Sequence, residues 1–120
     1  MDLDLYAGLT FSYSGMHIDS LVRTYATYVL VDRPELGPWY FSHDNKINHL
    51  DIRLELALAD FNMGYFVSCR DNLQSIYNDT YYQSFPSNNP KALTMNVETV
   101  SGRAELAQIL QSLQQTLKNI

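Results

Sequence analysis

Between residues 48 and 59 the chain alternates almost without a break. Leu50, Ile52, Leu54, Leu56 and Leu58 stand against His49, Asp51, Arg53, Glu55, Ala57 and Ala59. Side chains in a strand point to opposite faces with period two, so such a run predicts a strand with one buried face. Leu, Glu and Ala favour helix by intrinsic propensity, which opposes that reading. On a helix these leucines would spread around most of the circumference, whereas on a strand they form one stripe. Patterning is given precedence over propensity, and 48 to 59 is expected to be a strand.

The rest of the chain is read by the same rules. Residues 3 to 13 alternate in the same way, with Leu3, Leu5, Ala7, Leu9, Phe11 and Tyr13 on one side, and predict a first strand that Ser14-Gly15 breaks. Ile18, Leu21, Val22, Tyr25 and Val29 recur at helical spacing, with Asp19 near the positive end of the helix dipole. Pro34, Gly37 and Pro38 make a connection. Trp39 to His43 reads as a short aromatic strand, turned by Asp44-Asn45-Lys46. Met63 to Cys69 reads as a return strand after a turn at Asp60 to Asn62. Asp71 is a candidate cap for a short helix through Leu73, Ile76 and Tyr77, after which residues 78 to 90 show no period. Leu93, Met95 and Val97 predict a last strand. Ser101 is the expected N-cap of a closing helix carrying Leu106, Ile109, Leu110, Leu113, Leu117 and Ile120.

The expected fold is therefore α+β: an antiparallel sheet of about five strands, in the order β-α-β-β-β-loop-β-α, covered on one face by two amphipathic helices. Residues 1 to 120 are expected to form a single domain, a length that suffices to bury a core without staples.

Composition narrows the functional classes. A net charge of −5 and eight scattered Lys and Arg residues lack the basic footprint that nucleic acid or an anionic membrane requires. The same charge would steer a basic partner toward the chain. One cysteine excludes an internal disulfide framework and a multi-thiolate metal cluster. The N-terminal stretch begins with acids and alternates, unlike a signal or transit peptide. A cytoplasmic location is thus expected, and the sequon Asn78-Asp79-Thr80 is read as chance.

Chemistry is sought residue by residue. His43, Asp44, His49 and Asp51 offer nitrogen and oxygen ligands, but their spacing matches no ligand motif, and Arg53 and Glu55 continue the same face as a solvated surface would. No metal or cofactor is expected. Arg70 beside Cys69 is the one feature that would activate the thiol, yet its apolar flanks read as those of a small buried hydrophobe. The pairs Asp2 with Asp4 and Asp51 with Glu55 are expected on exposed faces, where neither acquires the shifted pKa that acid–base work needs. Five unclustered glycines leave no phosphate loop.

Nine tyrosines remain. Tyr13, Tyr25 and Tyr65 fall on apolar faces. Tyr77, Tyr81 and Tyr82 share the irregular segment of residues 70 to 90 with Asp71, Asp79 and Phe85, and these six are the candidate partner-binding residues. The alternative is that the aromatics tuck the segment onto the domain. The expectation is a non-enzymatic protein-binding domain, of the type of a small acidic immunity protein that inhibits a cognate basic, nuclease-type toxin. One alternative is a homodimeric secretion chaperone that binds an effector. Another is a small ligand-binding or enzymatic domain using the concave side of the sheet around Trp39, His43 and His49. Composition does not decide between monomer and homodimer.

Overall fold

A computed structural model describes residues 3–32, 39–40 and 46–119. The elements are α1 (Leu3–Gly15), α2 (Asp19–Asp32), β1 (Trp39–Tyr40), β2 (Lys46–Ile47), α3 (His49–Asn62), α4 (Phe66–Asn78), α5 (Thr80–Gln83) and α6 (Val100–Lys118). The chain is a helical bundle, and the expectation of an α+β fold with a five-stranded sheet is overturned. Among the described residues the only strand pairing joins the two-residue segments β1 and β2, antiparallel, with Trp39 opposite Ile47 and Tyr40 opposite Lys46. The strands expected at 3 to 13, 48 to 59 and 63 to 69 are α1, α3 and the start of α4.

The cause of the largest error is the position of α3. This helix lies between two layers and is buried on both sides. Leu50, Leu54 and Ala57 enter a core shared with α4, α5 and α6, and Leu58 and Phe61 pack against it. Ile52 and Leu56 enter a second core shared with α1 and α2. Each set keeps helical spacing, at i, i+4 and i+7 or i and i+4. The two stripes are offset by two residues, so their sum mimics the alternation of a strand. A helix that is apolar all round is a buried helix, and here propensity outranks pattern.

The ends of these helices are marked by local chemistry. Asn48 caps α3: its Oδ1 accepts from Leu50 N and Asp51 N at 2.9 and 3.2 Å, and Asp51 Oδ2 accepts from Asn48 N at 2.9 Å. This is a capping box. At the other end, Tyr65 N donates to Asp60 O at 2.8 Å and Gly64 N to Phe61 O at 3.1 Å, with Gly64 at φ +81°. The same Schellman geometry ends α1, where Ile18 N donates to Tyr13 O at 3.0 Å and His17 N to Ser14 O at 3.1 Å. There the left-handed position is held by His17, at φ 58°. The closing helix keeps its expected apolar stripe of Leu106, Ile109, Leu110, Leu113 and Leu117. Its N-cap is Thr99, whose Oγ1 accepts from Gly102 N at 2.9 Å, rather than Ser101.

The segment between α5 and α6 forms no strand, although Leu93, Met95 and Val97 are buried in alternation with exposed Ala92, Thr94 and Asn96. It is an extended strap laid over α4. Its inward-facing backbone is bonded by side chains instead of by a neighbouring strand. Gln74 alone bonds Lys91 O and Leu93 N, each at 2.8 Å.

Candidate binding surfaces

The α1–α2 hairpin forms one outer layer of the bundle and carries four of the nine tyrosines as one group. Tyr25 of α2 is stacked between Tyr6 and Tyr13 of α1, two turns apart, with ring centroids 5.5 and 5.6 Å away and interplanar angles of 21° and 11°. Tyr28 meets Tyr6 and Tyr25 edge-on, at 5.7 and 6.1 Å. These rings lie along the seam of the hairpin. The stripe turned into the core includes Ala7, Thr10, Val22, Ala26, Val29 and Leu30, and Tyr6 packs against its edge. Tyr6, Tyr13 and Tyr25 are half-buried and Tyr28 is exposed, so the row stays open to solvent. Offset and edge-on contacts contribute roughly 0.5–1.5 kcal/mol each beyond burial, enough to hold the rings in a fixed array. Sequence reasoning placed Tyr13 and Tyr25 on apolar core faces. The available signal was that Tyr6 and Tyr13 are seven residues apart, and Tyr25 and Tyr28 three apart, both helical spacings.

On the other flank of α1 a cleft of about 290 Å³ separates α1, α3 and α6. Asp51 and Glu55, one turn apart on α3, line it together with Phe11, Gln114, Gln115 and Lys118. Each carboxylate has one oxygen engaged: Asp51 by the Asn48 backbone, and Glu55 by Ser14 Oγ at 2.5 Å. Burial pushes both carboxyls above their ordinary range. For Asp51 the hydrogen bond from Asn48 opposes that rise and the neighbouring Glu55 adds to it; for Glu55 the Ser14 hydroxyl opposes it. The pair is therefore not on the exposed face expected for it. Both groups are shifted in the same direction, whereas an acid–base couple needs environments that push its members apart. Lys118 lines the same cleft, but among the described residues neither carboxylate is ion-paired with it, so the two partly desolvated carboxylates offer a site for an amine or guanidinium.

The six residues singled out between 71 and 85 do not converge. Tyr77 and Tyr82 are core residues, edge-on to each other at 5.6 Å, with phenols pushed up by burial. Tyr81 and Phe85 are half-buried and meet edge-on at 5.2 Å. Asp79 caps α5 through Tyr81 N and Tyr82 N, and its other oxygen bonds His49 Nε2 at 2.7 Å. Most of the group fastens the segment to the domain. Asp71 stands apart, exposed in the middle of α4 instead of capping a helix. It lines a shallow depression of about 630 Å³ with Arg23, Tyr65, Val67 and Asn72.

Under that depression lies a connected polar group centred on Asp60. Asp60, fully buried, accepts from Arg23 Nε at 2.5 Å, Ser68 Oγ at 2.7 Å and Asn72 Nδ2 at 3.0 Å. The Arg23 guanidinium lies 4.4 Å from the centroid of the Tyr65 ring. The network ties α2, α3 and α4 together, and all of its acceptors are used internally.

The remaining candidates resolve plainly. His49 is 1% exposed and sits in the first turn of α3, so it shares no strand face with Asp51; the Trp39 side chain and the residues His43 and Asp44 lie outside the described part of the structure. Among the described residues the expected five-stranded sheet is not formed, so the ligand-binding reading has no concave sheet side there. Among the described residues no three His, Cys, Asp or Glu side chains are grouped to hold a metal ion. Cys69 is buried in mid-α4, and burial, with Asp60 nearby, pushes its thiol up to about 12. Arg70 does not activate it, because the guanidinium donates to Met95 O at 2.9 Å. Among the described residues no helix is long and apolar enough to cross a membrane.

No protein-family model, curated protein or solved structure matches this chain, and none of these comparisons supports the expectation of a toxin-neutralising immunity protein.

Proposed function

We propose that this chain is a non-enzymatic protein-binding domain that docks a basic partner on its α1–α2 layer. The observation that carries the reading is the tyrosine row of Tyr6, Tyr25 and Tyr13 with Tyr28 at its side, preorganised and open to solvent. Tyrosine supplies rigid contact area with a polar tip, and rings already held in place lose little freedom on binding. The net charge of −5 favours a basic partner, whose approach it accelerates. The Asp51–Glu55 cleft on the far flank of α1 is suited to receive a lysine or arginine of that partner.

The test is recovery of bound protein from the source cells by the wild-type chain, by Tyr28→Ala and by Glu55→Gln. A basic protein retained by the wild type should be lost on Tyr28→Ala and weakened on Glu55→Gln, with unchanged helical circular dichroism. Its association rate should fall as salt is added. Retention of the same partner by Tyr28→Ala, or a salt-independent association rate, contradicts the proposal.

A further inference from the structure

The depression between α2 and the start of α4 holds charged groups that the fold does not use. Its volume of about 630 Å³ lies in the range of small-molecule sites. Two of its polar side chains are committed elsewhere. Ser68 and Asn72 both donate to the buried Asp60, and Asn72 Oδ1 accepts from Arg53 at 3.0 Å. Arg23 is only half committed. Its Nε donates to Asp60 and its guanidinium lies over the Tyr65 ring, so the group is held from two sides. The end-on edge, Nη1 and Nη2, has no partner among the described residues, and the side chain is 36% exposed. That edge matches a carboxylate through two parallel bonds. Asp71 lines the same depression, and among the described residues its exposed carboxylate makes neither a hydrogen bond nor an ion pair, with Arg23 or any other group. Tyr65 and Val67, about half exposed, supply the apolar surface beside these charges.

We infer that this depression binds a small zwitterion with an apolar body, of the class of a free hydrophobic amino acid or a dipeptide. The ligand carboxylate takes the end-on edge of Arg23, its ammonium takes Asp71, and its side chain lies on Tyr65 and Val67. Each ligand group answers one group that the fold leaves unsatisfied. A simple anion would meet Asp71 and the net charge of −5, and a simple cation would meet Arg23. A zwitterion has no net charge, so the −5 does not oppose its approach. Water competes for both charges in so shallow a site, and a dissociation constant of about 0.1–1 mM is expected. Arg23 belongs to α2 and Asp71 to α4. A ligand that holds both therefore ties the α1–α2 layer to the larger core.

Nuclear magnetic resonance titration of the isotope-labelled chain with L-leucine and with leucyl-leucine, up to about 20 mM, tests this. Saturable shifts are expected in the amides of Tyr65 to Asn72 and in the Arg23 Nε–H signal. N-acetyl-leucine lacks the ammonium and leucinamide lacks the carboxylate, and each should bind about five- to tenfold more weakly than leucine. Asp71→Asn should weaken leucine binding by a similar factor and remove the preference for leucine over N-acetyl-leucine. Because Asp71 is exposed and unbonded, that variant should keep the wild-type circular dichroism and melting. Arg23→Lys keeps the charge but loses the two-pronged edge, so it should weaken leucine and leave leucinamide unchanged. Arg23 also holds Asp60, and Asp71→Asn decides the matter if Arg23→Lys disturbs the fold. The absence of saturable shifts with both zwitterions overturns the inference. So does N-acetyl-leucine or leucinamide binding as tightly as leucine, or Asp71→Asn binding leucine as the wild type does.

Discussion

At the scale of single residues, two positions hold conformations or charges that the chain would be more stable without. His17 occupies the left-handed turn that ends α1, at φ 58°, a region where a Cβ costs roughly 1–2 kcal/mol and glycine avoids that cost. Gly64 fills the equivalent position after α3. His17→Gly is therefore expected to stabilise the fold by about 0.5–1 kcal/mol, the strain relief less the added entropy of an unfolded glycine; urea unfolding measures it. Glu55 is the second position. Its carboxyl is raised by burial, so the folded chain holds this proton more tightly than the unfolded chain does. Its contribution to stability falls as pH rises from the ordinary glutamate value through the raised one. Glu55→Gln keeps an acceptor for Ser14 and removes the buried charge. The variant should match the wild type near pH 4 and exceed it in stability at about pH 7. Equal stability at both pH values would show that Glu55 is well solvated.

At the scale of elements, α2 and α6 were legible because each buries one stripe at helical spacing. Leu106 to Leu117 on α6 needed no knowledge of the neighbours. α1 and α3 were illegible for the opposite reason. Leu50 and Ile52 on α3 face different cores, and nothing local to 48 to 59 says that two cores exist. The capping residues did carry a signal: Asn48 three before Asp51, and Gly64 just beyond the last buried turn, are helix boundary marks. The binding surface was missed for the same reason as α1. Tyr6 and Tyr13 share a face only on a helix, and a strand reading scattered them. The two-sided burial of α3 makes a specific prediction. Leu50→Ala and Ile52→Ala, both at fully buried positions, should each cost about 2–4 kcal/mol although they lie on opposite sides of one helix. Chemical denaturation of both variants checks this, and a near-neutral Ile52→Ala would mean that the α1–α2 layer is not packed on α3.

At the scale of the molecule, the two cores are unequal, and the proposed binding face belongs to the weaker one. Among the described residues, sixteen buried side chains form the core of α3, α4, α5, the strap and α6, against six in the core that attaches the α1–α2 layer. The smaller core is also poorer per residue, since Ala7 and Ala26 are two of its members. Besides the smaller core, the Arg23–Asp60 pair, the Ser14–Glu55 bond and an exposed bond from Asn62 Nδ2 to Asp19 Oδ1 hold that layer to α3. Free energies of local opening follow buried apolar contact, so α1 and α2 are expected to open together below the global unfolding free energy, leaving α3, α4 and α6 folded. Native-state hydrogen exchange should show α1 and α2 amides as one group of lower protection, and Val29→Ala should lower that group by about 1–3 kcal/mol while changing the slowest α4 and α6 amides little. A partner docked on the tyrosine row should raise the same group selectively, since it binds only the closed layer. Uniform protection across all helices would mean that the bundle opens as one cooperative unit, and binding would then protect every helix alike.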